Sequence, residues 1–311
     1  MTYEHCELCP RRCGANRCGA NRIGINRSKT VGRCGQTNEI RVARAALHMW
    51  EEPCLSGSEG SGTVFFCGCT LGCVYCQNAA ISRENCVAHG KIVTVERLAE
   101  IFLNLAAQGA NNINLVTPTM FAPSIAAAID RARAMGLTLP IVYNTSGYER
   151  LETLQMLAGK IDVYLPDFKY ISPDLAARYS HAADYPNAAK AALAEMVRQC
   201  GEFAYDARGM MKRGVIVRHL LLPGQLAESK RTLDYLWQTY GNSIVYSLMS
   251  QYTPLPTLDA SRYPELNRRV TTYEYHKLID YAAALGITNG FVQDGRSAKE
   301  SFIPAFNGEG V

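Results

Sequence analysis

The sequence predicts an α/β fold, a barrel or partial barrel set behind a short cysteine-rich head. Three observations point there. From about residue 62 onward, short β-branched apolar runs alternate with helix-patterned segments. That alternation fills about 240 residues, enough for six or seven βα units around one large core. Ahead of it, the chain is crowded with cysteine: eleven of its twelve (all but Cys200) lie before residue 87. The expected division is a head of residues 1–60 and a body of residues 61–311.

The head holds Cys, Arg, Gly and Asn with little periodic apolar pattern until IRVARAALHMW (40–50). Such a segment cannot hold itself together by core burial, and small folds of this kind usually need a metal. Its charge is also local. Residues 1–50 carry nine Arg and Lys against three Glu, hence +6, and subtraction from the whole-chain +4 leaves −2 for the remainder.

The body opens with the run GTVFFCG (62–68). NINLVTP (112–118), PIVYNT (140–145), IDVYLPDFK (161–169), GVIVRHLLLPG (214–224) and SIVYSLMS (243–250) follow, and ITNGFVQD (287–294) is a candidate seventh strand. Between them, VERLAEIFLNLAAQ (95–108) places Val95, Leu98, Ile101, Phe102 and Leu105 on one helical face. Residues 124–136, 148–159, 187–200, 226–241 and 272–286 read likewise, and several end at Gly, as helix C-termini do. Alternating strands and helices imply a mostly parallel sheet; an open doubly wound sheet also fits the count. In either layout the site lies at the C-terminal ends of the strands.

No apolar run approaches a bilayer span, and the first residues, MTYEHCELCP, are polar. The expected compartment is the cytoplasm, where structural disulfides are rare, so clustered cysteines point to metal or iron–sulfur binding. The stretch CTLGCVYCQN (69–78) directly follows the first strand of the body and packs Cys69, Cys73 and Cys76 into eight residues. A loop of idle thiols is a poor account of that density. Structural zinc wants four ligands, usually in two pairs, and gaps of three and two do not make two pairs. A four-iron cubane bound by three thiolates keeps one iron free of protein.

CxxxCxxC with Tyr75 before its last cysteine, placed after the first strand of a repeating βα body, resembles the radical S-adenosylmethionine (radical SAM) enzymes. The resemblance implies a partial (β/α)6 barrel of that type and a [4Fe–4S] cluster on Cys69, Cys73 and Cys76. It implies SAM bound to the open iron through its amino and carboxylate groups, and a reductant such as flavodoxin or ferredoxin. In these enzymes the reduced cluster passes an electron to the sulfonium, and the resulting 5′-deoxyadenosyl radical abstracts a hydrogen atom.

Along the body the chain is most similar to pyruvate formate-lyase activating enzymes and their uncharacterised PflX-like relatives. Gln77 and Asn78 follow the cysteine loop as they do there. Where the activating enzymes have a Gly-Gly-Glu segment at the SAM amino group, this chain has Thr117-Pro118-Thr119, as the PflX-like branch does. The turn NTSG (144–147) makes Asn144 and Ser146 candidate SAM contacts. IDVYLPDFK matches an Asp-x-Lys segment at Asp167 and Lys169, and VRHLLLPG carries Arg218 into a Pro-Gly turn. Tyr252 stands where the activating enzymes place a His near the adenosine. A plainer reading of Asp167, Lys169 and Arg218 is a barrel-mouth ion network. Their shared place at strand ends favours the site, because radicals need a water-excluding pocket.

In the head, Cys6, Cys9, Cys13, Cys18 and Cys34 offer five thiols for a four-thiolate centre. Similarity to the PflX-like pattern CxxCPRxCG…GxCG implies Cys6, Cys9, Cys13 and Cys34 as the second metal site, with Cys18 spare. Zinc and an auxiliary iron–sulfur cluster both suit such a set. Either would be formally dianionic, and Arg11, Arg12, Arg17 and Arg33 would offset that charge. Cys54 and Cys67 read as small apolar fillers, Cys86 and Cys200 fall outside any ligand spacing, and Glu51-Glu52 with GSEGSG (57–62) reads as a connection.

Three functions compete on this evidence. The first is a radical SAM enzyme, acting on a glycyl-radical enzyme's glycine or on a small molecule or peptide. The second is a non-catalytic iron–sulfur electron carrier, disfavoured by an open cluster. The third is a zinc-dependent nucleic-acid-binding protein. It rests on the basic head alone and lacks the interleaved aromatics that stack bases.

Overall fold

The computed structural model of the chain describes residues 2–19, 31–82, 89–293 and 304–311. Its strands are β1 (Ile40–His48), β2 (Ser61–Phe66), β3 (Lys91–Val93), β4 (Ile113–Val116) and β5 (Ile141–Thr145). They continue with β6 (Val163–Pro166), β7 (Ala204–Tyr205), β8 (Met211–Leu220), β9 (Val245–Met249) and β10 (Gly290–Val292). The helices are α1 (Pro53–Ser56), α2 (Ala79–Ser82), α3 (Val95–Ala107), α4 (Ala122–Ala134) and α5 (Leu151–Met156). The later ones are α6 (Pro173–Ser180), α7 (Tyr185–Cys200), α8 (Leu226–Tyr240) and α9 (Thr272–Leu285).

The strands pair in the order β10-β9-β8-β6-β5-β4-β2-β1-β3, with β7 added to β8. From β2 to β10 every pairing along the path is parallel. This is the expected α/β fold, an open parallel sheet of the partial-barrel kind. All seven runs read as strands are strands. They read as continuous apolar runs, not alternating ones, because helices cover the sheet: β2, β4, β5, β6 and β9 are buried at every residue.

Helix ends follow local chemistry. Thr94 caps α3 by accepting from the Arg97 N–H at 3.1 Å, and Thr271 with Glu274 forms a capping box on α9. The predicted helix at 148–159 shrinks to α5, since Glu149 before it is drawn into the interior (below). α6 and the short strands β3 and β7 carried too few residues for a periodic signal.

One stretch lies differently from its composition. Residues 40–48, grouped by their surroundings with the head, form β1, which pairs antiparallel with both β2 and β3. The chain then turns through α1. Asn111 donates to the Ser56 carbonyl and Asn112 to that of Leu55, each at 2.8 Å, which fixes α1 beside the start of β4. The last residues return along β1: Gly308 N–H reaches Ala43 O at 3.0 Å and Ala45 N–H reaches Glu309 O at 2.9 Å.

A buried carboxylate ties two strand-end loops together. Glu149 accepts from Thr119 at 2.6 Å, from Tyr143 at 3.4 Å and from Thr145. Burial pushes its carboxyl up to about 7, against the lowering effect of the three hydroxyls. A carboxyl raised by folding stabilises when protonated. Its contribution is therefore full below the ordinary value of 4.5 and is lost as the pH climbs through about 7. Glu149→Gln is expected to flatten this dependence and raise the melting temperature at about pH 8, by the equivalent of about 3 kcal/mol at most. Melting curves at about pH 5 and about pH 8 check it; an unaltered gap between the two would contradict the assignment.

Candidate functional site

The cysteine loop leaves the C-terminal end of β2 and ends in α2. Gly68 starts it with φ near +90°, and a Cβ there would lie 2.6 Å from the Cys34 carbonyl oxygen, so the head packs directly on the loop's first residue. Arg11, from the head, holds the loop on another side. Its guanidinium donates to the carbonyls of Thr70 and Leu71 at 3.1 Å each, and to those of Ser180 and His181 where α6 ends.

Cys73 and Cys76 line a cavity of about 230 Å³ with Tyr75, Gln77 and Asn78 of the same loop. Cys69 lies within electrostatic reach of both thiols. Burial pushes the Cys69 thiol up to about 12, its neighbours' charge adding to the effect. Burial also raises Cys73, opposed chiefly by the Lys169 ammonium. Each thiol has a polar neighbour. Ser180 donates to Cys73 Sγ at 3.0 Å, Ser82 to Cys76 Sγ at 3.4 Å, and the Leu71 N–H to Cys69 Sγ at 3.4 Å. Among the described residues, no three His, Cys, Asp or Glu side chains are drawn together tightly enough to grip a single ion. A cubane instead spreads its thiolates around its corners. Two thiols of the loop on the cavity wall, with Cys69 beside them, fit that donor set.

The opposite side of the cavity is charged. Asp167 Oδ2 meets Lys169 Nζ at 2.7 Å and its Oδ1 accepts from Arg218 Nε at 2.9 Å. Arg218 also donates to Asn144 Oδ1 at 2.7 Å and approaches Glu51 Oε2 at 3.4 Å. The series is thus Lys169–Asp167–Arg218–Asn144, all lining the cavity, with Glu51 at its end. Burial would raise the Asp167 carboxyl, but the two cations hold it below the usual range. Burial would likewise lower Lys169, and the carboxylate reverses this.

The remaining expected residues are placed apart from the cavity wall. Thr117 adopts φ near +56°, a backbone that a β-branched residue rarely takes and that glycine takes freely, at the position of the Gly-Gly-Glu segment. Its N–H donates to Asn144 O at 2.8 Å. Thr119 gives its hydroxyl to Glu149. Ser146 offers its carbonyl to Tyr185 at 3.0 Å, and the following Gly147 sits where a Cβ would be 2.4 Å from Asp167 O. Tyr252 is fully buried behind Tyr75, ring centroids 6.3 Å apart, with its hydroxyl on the Leu266 carbonyl. Cys54, Cys67 and Cys200 are buried in the core, and Cys86 lies outside the described residues.

Two residues at the site had no motif to announce them. Glu51, read from sequence as part of a connection, is carried by the β1–α1 turn to Arg218. Its only signal was an acidic pair straight after an apolar strand. Ser180, 107 residues from Cys73, had none. Fold and site together define an α/β protein in which a three-cysteine loop and a charged cavity meet at the strand C-termini.

The comparisons make the class specific. The family model of the radical SAM superfamily matches residues 63–236, more than half of the chain, and the chain belongs to that superfamily. Membership implies an enzyme with a [4Fe–4S] cluster that binds SAM. The chain is 27% identical over 291 residues to "Uncharacterized protein MJ0674" of Methanocaldococcus jannaschii, covering 90% of this chain and 75% of that protein. Among solved structures it resembles Streptococcus suis SuiB bound to S-adenosylmethionine, with a TM-score of 0.48, 11% identity and 76% of this chain covered. SuiB bound to its precursor peptide SuiA matches with the same TM-score and identity. The chain spans about half of SuiB's length, 51% and 46% in the two structures. Among the described residues, no helix is long and apolar enough to cross a membrane.

Asp167→Asn leaves Lys169 and Arg218 facing each other without their shared anion. It is expected to cost about 3–5 kcal/mol of stability, read by melting temperature. A variant that melts with the parent chain would show that the anion is dispensable to the fold.

Proposed function

We propose that Cys69, Cys73 and Cys76 hold the cluster, that SAM occupies the adjoining cavity, and that the enzyme removes a hydrogen atom from the glycine backbone of a glycyl-radical enzyme. The observation that carries the reading is the single cavity shared by Cys73, Cys76 and the Lys169–Asp167–Arg218–Asn144 series. When bound, cluster and SAM together supply a one-electron cleavage and a carbon radical able to abstract hydrogen.

The chain's own residues do the positioning. Asn144, Asp167, Lys169 and Arg218 together put acceptors and donors on the cavity wall, a set suited to a zwitterionic amino acid group. Lys169 also faces Cys73, where its charge favours thiolate over thiol. Tyr75 packs the loop against Tyr170, hydroxyl to hydroxyl at 2.5 Å, and Tyr170 in turn meets Ser180 at 3.1 Å beside Cys73. That buried wall keeps water from the thiols. The electron comes from an external donor such as flavodoxin or ferredoxin.

A second reading, hydrogen abstraction from a small molecule or peptide, is favoured by Glu51. Its carboxylate, close to Arg218 and accepting from Asn144 at 3.3 Å, gives the cavity an acceptor beyond those assigned to SAM.

Anaerobically reconstituted and reduced protein is expected to cleave SAM to 5′-deoxyadenosine, and Ala at Cys69, Cys73 or Cys76 to abolish it. Cleavage persisting in all three variants would refute the ligand assignment. A candidate glycyl-radical enzyme deuterated at glycine should pass its label into 5′-deoxyadenosine. Label arriving only from small molecules or peptides would shift the assignment to the second reading.

A further inference from the structure

Arg11 stands in a turn of the head that local backbone bonds build. Arg12 N–H closes onto Cys9 O, Gly14 N–H onto Cys6 O and Cys6 N–H onto Ala15 O, each at 3.0 Å. From this turn the Arg11 guanidinium lies over the Tyr148 ring, 5.2 Å from its centroid. The Tyr148 hydroxyl is itself fixed on Asp184, 2.8 Å from each carboxylate oxygen. Arg11 Nε donates to Thr70 O at 3.1 Å, Nη2 to Leu71 O and Ser180 O at 3.1 Å each, and Nη1 to His181 O. A planar fork spans four carbonyls in this way, and a compact ammonium does not. Among the described residues no carboxylate pairs with Arg11, so its charge acts on peptide dipoles.

The two loop carbonyls belong to amides that face Cys69. Thr70 O and Leu71 N–H share one planar peptide group, Leu71 O and Gly72 N–H the next, and in a trans peptide the two ends point opposite ways. Leu71 N–H donates to Cys69 Sγ at 3.4 Å, and Gly72 N–H also favours charge on that sulfur. A donor on an amide's carbonyl polarises the amide and strengthens the bond its N–H makes, by about 10–30% per bond. Ser180 brings Arg11 near a second thiol, since its carbonyl accepts from Arg11 while its hydroxyl donates to Cys73 Sγ at 3.0 Å. A plainer account is that Arg11 only caps α6, whose last carbonyls attract a cation. That covers Ser180 and His181 and leaves Thr70 and Leu71 unexplained.

We infer that Arg11 is a positioning residue that holds and polarises the two amides facing Cys69 Sγ, and so raises the reduction potential of a cluster bound at the loop. The inference rests on the cluster ligands proposed above. Hydrogen bonds to its sulfurs are among the terms that set a cluster's potential, and stronger ones favour the more negative, reduced state.

The test uses the full chain, reconstituted anaerobically with iron and sulfide, as parent, Arg11→Met, Arg11→Lys and Arg11→Gln. Iron content is measured first, then the midpoint potential by redox titration with electron paramagnetic resonance of the reduced cluster. Arg11→Met should hold about tenfold less reduced cluster at a fixed poise, the scale of an outer-shell partner. For one electron that is a fall of about 59 mV. Arg11→Lys keeps the charge without the fork and should recover only a minor part of the loss. Should Arg11→Met load no cluster, Arg11→Gln, with one planar donor group left, is read in its place and should show a smaller fall. An unchanged potential in a fully loaded Met or Gln variant overturns the inference, as does complete recovery by Lys, which would reduce the effect to charge alone. A parent cluster that survives Ala at Cys69, Cys73 and Cys76 refutes the ligand assignment, and this inference with it. A cluster lost on those substitutions but indifferent to Arg11 refutes the inference alone.

Discussion

Asp167 is the constraint on which the barrel mouth depends. One carboxylate serves two half-buried cations, Lys169 through one oxygen and Arg218 through the other. Neither cation could be kept out of water alone at tolerable cost. With the anion between them, Lys169 is aimed at the cysteine loop and Arg218 at Asn144 and Glu51, so a single side chain orients both halves of the cavity. Gly147 belongs to the same arrangement, because only a residue without a Cβ can let its turn close on the Asp167 carbonyl.

The cysteine loop is held from outside the barrel as much as from within. Arg11 binds four carbonyls, two in the loop and two at the end of α6, and Gly68 brings the loop against Cys34. The Tyr75–Tyr170–Ser180–Cys73 series reaches the loop from the other direction. A cluster loop with one site open to a ligand has fewer covalent anchors than a closed one, and rigid outer contacts make up the difference in position. The head is therefore part of the framework that positions this loop, in a mechanical sense.

Much of this was legible beforehand where a signal is local. Strands such as NINLVTP and PIVYNT announced themselves as apolar runs because both faces of the sheet are covered. Cys69, Cys73 and Cys76 were readable because eight residues of one loop carry all three. Asp167 and Lys169 were readable as neighbours on one strand, alternating to the same side. Thr117 was visible only as a departure from a glycine pattern; its left-handed backbone explains why glycine suits that place. Thr119 and Tyr252 have surroundings that a motif position does not convey. Their hydroxyls are drawn to Glu149 and to the Leu266 carbonyl, and nothing in the neighbouring sequence specified those partners.

By itself, then, the sequence determined the fold class, the open thiol set and its place after the first strand of the body. Each follows from periodicity or spacing within a few residues, and such patterns survive any arrangement of distant parts. Tertiary structure alone decided that Glu51 joins Arg218 and that Ser180 reaches Cys73. Those meetings join residues up to 167 positions apart. They are fixed by how the sheet curls and the head docks, and the need to compensate buried charge selects them once it has.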